Sequence, residues 1–501
     1  MAIAVVVVYL ILMVVIGNVS TRRAAKRTLA EGGNYFGGSL PPWVMATAVV
    51  ATSISGVGFI GTPGQAYNQG YSIYLATTIL GGGWLGFILS AKIIGRPMKR
   101  IAARRKLVTV TDIVCDIFQD QRLRYAIIPI IILGGIAAAA VQWVVIGTAM
   151  SNLLGVDYKL AVIIGVACVA LYSVLGGNES TALVGAIQCL IALFCSTFMA
   201  FTAVKLAGGL TNMNNTIASV DSSLFYPVNT GTSFGYFFST MFIYSVGFMG
   251  QPHITVKWSQ ITDNKLYPKA ILIGVVSYAL TTLMTYVGVA SRAMVEQGAM
   301  AAVTNTDSLV MIFIQTFCSP WVVGLVVAAA LSAIMSTGAA YLISCSSACV
   351  NDVMANWAGV DMSGKKGKRI SQIATLLCLL LSLAMSFRPD LGIQALGNAA
   401  WGAFAAVITP SLVLGLRWRR ATKQGALASS FFGLAIVVVV NILKYTNIWL
   451  WPFQLSMEAF ALIMNFVIMI VVSLLTPAQD KSHFMPETLA ELKARKAAAE
   501  V

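Results

Sequence analysis

The sequence predicts an all-α polytopic membrane protein with about 13 transmembrane helices. Three observations carry that expectation. Hydrophobic residues make up 58% of the 501 and charged residues 10%, with a mean hydropathy of +0.82. A globular chain is about 25% charged, so there is too little charge here to coat a soluble particle. Apolar runs near the length of about 20 residues that a span needs recur at 2–19, 43–66, 72–94, 125–153, 158–175, 182–208, 234–254, 269–291, 319–349, 371–387, 391–416, 425–447 and 450–475. The 33 Lys and Arg gather in alternate connections between those runs.

The same arithmetic sets aside a cytosolic enzyme, a disordered chain and a nucleic-acid-binding domain. The net charge of +15 has a simpler source, the Lys/Arg excess of cytoplasmic loops. Nothing basic precedes run 2–19, while Arg22, Arg23, Lys26 and Arg27 follow it. That is the pattern of a first span with its N-terminus outside, not of a cleaved leader. Thirteen crossings then place the C-terminus and the tail 476–501 in the cytoplasm. On this threading 28 of the 33 cations are cytoplasmic; only Lys159, Lys205, Arg292, Arg388 and Lys444 fall at outer ends. The expected location is the plasma (inner) membrane, multi-pass. Segments 209–233 and 292–318, rich in Asn, Thr and Ser, read as solvated outer loops. The eight cysteines form no CxxC pair and read as small apolar packers.

Two runs are interrupted. The second holds Ala51-Thr52-Ser53-Ile54-Ser55-Gly56-Val57-Gly58 and then Gly61-Thr62-Pro63-Gly64. The seventh holds Tyr244-Ser245-Val246-Gly247-Phe248-Met249-Gly250-Gln251-Pro252-His253. Each opens a set of five runs. Matched Gly/Pro interruptions in two halves point to an inverted-repeat transporter with its binding site at the breaks; two Gly-kinked structural helices are the alternative. The repeats span 43–208 and 209–416, after a leading helix and inner loop (1–42) and before two trailing helices (417–475).

Enzyme chemistry has little to work with. There are two histidines, His253 and His483. HExxH, GxSxG and the P-loop are absent, as is any carboxylate pair within the predicted bilayer. The chain is read as a non-enzyme. The ninth run instead carries Ser332-Ala333-Ile334-Met335-Ser336-Thr337-Gly338, with Ser344, Ser346 and Ser347 beyond. Hydroxyl and carbonyl oxygens suit a hard cation. Ser336 and Thr337 can both approach one ion, with a freed Ala333 carbonyl beside them, or both can bond to carbonyls one turn back.

These motifs resemble the sodium:solute symporter family. Ala333–Thr337 with Cys345-Ser346-Ser347 looks like its eighth core helix. Gly250–Ile254 (GQPHI) resembles the sixth core helix of the sodium/proline members. Ala51–Tyr67, ending in GTPGQAY, is similar to the sodium/pantothenate members. The resemblance covers nearly the whole chain. It implies a LeuT-like 5+5 inverted repeat with one leading and two trailing helices. It also implies a bound Na+ as the coupling ion and no other cofactor. The ligands it implies are the carbonyls of Ala51, Ile54 and Ala333 with the hydroxyls of Ser336 and Thr337; no transition metal is expected. The implied solute pocket faces Ser53, Ser55 and Gly56 on one side and Tyr244, Phe248, Gln251 and Pro252 on the other. Tyr244 and Phe248, four apart, can equally pack helices together. Gln142 and Asn398 can touch solute or bond across helices.

Three departures bear on the chemistry. Ser53 stands where the sodium/proline members carry an aspartate, which argues against a zwitterionic solute. Gly185, after the Gly176-Gly177 turn, stands where many members carry a second aspartate near the ion. Ala339 and Ala340 replace serines that build a second sodium site in some members. The expected activity is cation-coupled symport, with Na+ the expected ion, of a small organic solute such as pantothenate or another organic acid or amino acid. The expected mechanism is alternating access by a monomer in the lipid bilayer. A proton-coupled or uncoupled carrier on the same fold, a transporter-like solute sensor and a passive channel are the alternatives.

Overall fold

The computed structural model describes residues 1–31, 35–36, 39–105, 107–388, 393–445 and 455–479. Most of the proposed tail, His483 included, lies outside them. Among the described residues there is no strand; the only β pairings are the isolated bridges Leu40–Ile261 and Asn229–Thr232. Over the described residues, each apolar run of the sequence falls on helix, continuous or broken. Nine helices among the described residues are long and apolar enough to cross a membrane unaided. The remaining runs differ for identifiable reasons. Tyr158–Leu206 is continuous apart from Gly177, where φ is +64° and ψ −154°. Two helices meet there, because a glycine alone takes that conformation at no steric cost. The turn is clamped from outside: the Tyr35 hydroxyl donates to the carbonyls of Ser173 and Val174 at 2.8 and 2.7 Å, and the Asn178 amide donates to the Tyr35 carbonyl at 3.1 Å. Lys423–Tyr445 is apolar over a shorter stretch, Lys423–Val439.

The last two departures from regular spans are the interrupted runs. The second run is Pro42–Ser53 followed by Gly58–Gln69, with its halves bent by 69°. The seventh is Phe234–Ser245, a 3-10 turn at Gly247–Gly250, and Pro252–Trp258. Gln251 between them is extended, φ −75° and ψ 107°. Pro252 then opens the second half as the first helical residue, where its missing N–H costs nothing.

The segments expected as solvated loops contain helix. Gly209–Asp221 is helical, with Met213 and Ile217, four apart, buried on one face. Leu309–Phe317 is helical too, burying Leu309, Val310, Phe313 and Ile314. Their polar residues occupy the opposite faces, so overall polarity concealed an amphipathic stripe.

Pro320–Ser347 is the axis of the molecule. The span it opens, Pro320–Ala355, is 89% buried over its apolar stretch, against 22% for the leading helix and 33% for Met457–Leu475. It packs against Ala2–Glu31, Pro42–Ser53, Gly135–Leu154 and Tyr158–Leu206. A helix apolar all round belongs in such a place, and its few hydroxyls are thereby forced into the interior. At its Lys/Arg-rich end, three elements are tied by one side chain. Arg124 reaches Asp112 at 2.8 Å and Asp352 at 3.0 Å. Asp112 also closes a capping box with Thr109 at the start of helix Val110–Phe118.

Candidate functional site

The first break frees backbone oxygens. In an α-helix each carbonyl accepts from the amide four residues on. The last such bond before the break runs from the Ile54 amide to the Val50 carbonyl, 3.0 Å. Ile54 has left helical geometry, φ −95° and ψ 86°, so the Ala51 carbonyl has no intrahelical donor. The Ser336 hydroxyl donates to it at 2.9 Å and to the Ala333 carbonyl at 3.0 Å. The Thr337 hydroxyl lies 3.3 Å from the Ala51 carbonyl and 2.9 Å from that of Ala333. The two readings of these hydroxyls therefore coexist. Each bonds one turn back, and each also crosses to the broken helix.

Four neutral oxygens thus meet in one buried place: two carbonyls and two hydroxyls. Ala51, Ile54, Ala333 and Ser336 also line one small cavity, so the structure gathers all five residues implied as cation ligands. Neutral oxygen donors fit an alkali cation; the Thr281 side chain and the Cys189 thiol also line the cavity. Gly185 faces this group: a Cβ there would sit 3.7 Å from the Ser336 Cβ. No carboxylate lines the cavity. Gln188, one helical turn beyond Gly185, does line it. Its amide nitrogen donates to the Tyr9 hydroxyl at 3.2 Å, and its buried Oε1 has no partner. Neither Gln188 nor Tyr9 was among the sequence candidates. The signal available was the i, i+3 spacing from Gly185, which puts both on one helix face.

The residues expected around the solute divide into three groups. Ser53 turns back on its own helix, its hydroxyl 2.9 Å from the carbonyls of both Val49 and Val50. Gly56 is a packing contact, since a Cβ there would meet Ile334 at 2.5 Å. Ser55 between them is half-buried. At the second break, Trp401 gathers the candidates. Its ring lies 5.6 Å from Tyr244 and 5.7 Å from His253, and its carbonyl accepts from Gln251 at 3.0 Å. Trp401 was missed because a tryptophan in an apolar run carries no signal of its own. Gln251 is fully buried, and its Oε1 has no partner. Phe248, also buried, packs over Gly82, where an added Cβ would come within 3.3 Å of its ring.

Gln142 is elsewhere, beside Gly338 on the axial helix, with an unpartnered buried Oε1. Pro252 lines a separate cleft toward the Lys/Arg-rich end. Asn398 falls on helix Ile393–Arg417, but its side chain lies outside the described residues.

Comparison with known proteins gives a consistent result. A profile of the "Sodium:solute symporter family" matches residues 35–433. The chain is 29% identical over 441 residues to the sodium/pantothenate symporter of Escherichia coli (strain K12), covering 86% of this chain and 89% of that protein. It is 25% identical over 446 residues to the sodium/proline symporter of the same organism, covering 86% of each. Among solved structures, a substrate-bound, outward-open Na+-coupled sialic acid symporter superposes with a TM-score of 0.77 at 16% identity, over 96% of this chain and 99% of that one. That likeness establishes the LeuT-like fold.

Proposed function

The chain belongs to the sodium:solute symporter family, and from that premise we propose that it couples Na+ to the import of a small organic acid by alternating access. The observation that carries this is the bridge from Ser336 and Thr337 to the Ala51 carbonyl. A cation among these oxygens would take up lone pairs of Ala51, Ile54, Ala333, Ser336 and Thr337. The two hydroxyls would then change from donors into the Ala51 carbonyl to acceptors of the ion. One monovalent ion would hold the broken helix to the axial helix and set the shape of the adjoining break.

An organic acid is favoured over a zwitterion because Ser53 supplies no carboxylate for an ammonium group. The relatives named for pantothenate and for proline transport make those two solutes the first to test. Tyr244, Phe248, Gln251 and Trp401 would form one wall of the solute pocket, with Ser55 opposite. The repeats 43–208 and 209–416 would rock about this site. The protein would act as a monomer in the inner membrane, N-terminus outside, with its Lys/Arg-rich end in the cytoplasm.

The test is uptake into proteoliposomes. Inward sodium gradients should drive pantothenate accumulation, and replacing sodium with potassium should abolish it. One observation keeps a second reading, a proton-coupled or uncoupled carrier: no carboxylate lines the cavity beside Gly185 to attract sodium. Uptake driven by a pH gradient with no sodium present would replace the first reading with this one.

A further inference from the structure

Beyond the second break, toward the Lys/Arg-rich end, the half-helix Pro252–Trp258 forms one wall of a cleft. His253 and Lys257 line it from that helix, with Asp352, Ser344 and Ser347 opposite. The three titratable groups are 1%, 3% and 0% exposed, and each is under-used. The Lys257 ammonium donates to the His253 carbonyl of its own helix at 2.5 Å. No carboxylate among the described residues lies within ion-pairing distance of it. Neither ring nitrogen of His253 has a partner. Asp352 commits Oδ1 to Arg124 and Thr109, at 3.0 and 2.7 Å, and leaves Oδ2 unpartnered.

Burial without a counter-ion disfavours the charged form of a lysine, and an anion entering the site favours it again. The ammonium also repels a cation, which keeps the coupling ion at the neutral oxygens of the first break. Asp352 does not fill the role of partner: it lies beyond ion-pairing distance of Lys257 and shares Arg124 with Asp112. The hydroxyls of Ser344 and Ser347 make no hydrogen bond among the described residues, so they are free donors. The gap is wide enough for about two waters, the size of one carboxylate group rather than of a whole solute.

We propose that this cleft is a transit subsite for the carboxylate of the transported solute, with Lys257 as counter-ion and Ser344 and Ser347 as donors. It follows directly on Pro252, so a solute leaving the break toward the Lys/Arg-rich end meets it first. The proposal rests on the symport reading and narrows it, because it assigns the solute a negative charge. A carboxylate accepts well from ammonium and hydroxyl together.

The test uses the full-length protein in detergent with sodium chloride. Thermal unfolding is followed against pantothenate and against panthenol, the same molecule with an alcohol in place of the carboxylate. Wild type should bind pantothenate about tenfold or more tightly than panthenol. Lys257→Gln should erase that preference, and Lys257→Arg should keep it. Ser344→Ala with Ser347→Ala, which leaves the charge in place, should weaken pantothenate several-fold and panthenol less; it carries the test if Lys257→Gln does not fold. A preference that survives Lys257→Gln or the serine pair, or one absent from wild type, overturns the subsite. The sodium-against-potassium shift of the solute-free proteins reads the symport reading separately. A carboxylate preference that depends on Lys257 stands even where that shift is missing.

Discussion

The Ser336 hydroxyl and the Ala51 carbonyl meet at 2.9 Å across 285 residues of chain. Ala51 stands at the broken end of one helix and Ser336 in the middle of the most enclosed one. Any ligand that takes both oxygens holds the two helices together, and removing the hydroxyls removes that coupling while leaving two well-packed helices. Ser336→Ala with Thr337→Ala should therefore fold and melt within about 1–2 kcal/mol of wild type. It should lose the stabilisation that sodium gives over potassium, and with it sodium-driven uptake. Thermal unfolding in the two salts at equal ionic strength checks this. A double variant with an undiminished sodium shift would remove Ser336 and Thr337 from the ion's ligands.

Gly185→Asp should strengthen sodium binding. The added Cβ meets the Ser336 Cβ at 3.7 Å, an ordinary contact that needs no backbone shift. A carboxylate beside a buried cation attracts it strongly in a poorly screened environment. The sodium concentration giving half-maximal thermal shift should fall about tenfold, a gain of about 1.4 kcal/mol. An unchanged midpoint would mean that the ion binds away from this face.

Glycine substitutions should differ sharply by position. A Cβ on Gly288 would lie 1.9 Å from the Pro63 carbonyl oxygen, a backbone atom fixed in the second half of the first broken run. Gly288→Ala should destabilise by about 1–3 kcal/mol through overpacking and should reduce uptake by prying those two elements apart. Gly185→Ala, with only the 3.7 Å contact, should melt close to wild type. Equal melting temperatures for the two variants would contradict the close approach at Gly288.

Arg124 serves two carboxylates, Asp112 at 2.8 Å and Asp352 at 3.0 Å. Its removal leaves both without a cation, though Asn351, Asn356 and Thr109 still donate to them, and breaking a buried pair from one side costs about 3–5 kcal/mol. Arg124→Leu should lose that much stability, read by denaturation in detergent. Asp352→Asn should lose less, since Arg124 keeps Asp112 and an amide oxygen can still accept from Thr109.

What the sequence determined by itself follows from quantities that are local. Span length, the Gly/Pro interruptions and the hydroxyls at 336 and 337 are legible because a bilayer imposes one length on every helix and because glycine and proline act on their own backbone. The helix Gly209–Asp221 was illegible as a loop of polar composition, since its burial of Met213 and Ile217 exists only against a neighbour. The motif places Ser53 beside the solute, and only the fold shows its hydroxyl bonding back to Val49 and Val50 of its own helix. The close approach of Gly56 to Ile334 likewise shows only in the fold, where an added Cβ would come within 2.5 Å of that side chain. Gln188, Tyr9 and Trp401 entered only through tertiary structure. A glutamine, a tyrosine and a tryptophan in apolar runs are ordinary residues until their neighbours are known. The same holds for Lys257, one lysine among 33 cations in the sequence. Only the packing of Pro252–Trp258 against the end of the axial helix takes its ammonium out of water without giving it a carboxylate. The desolvation of a charge is a property of everything around it, which a sequence does not state and a fold does.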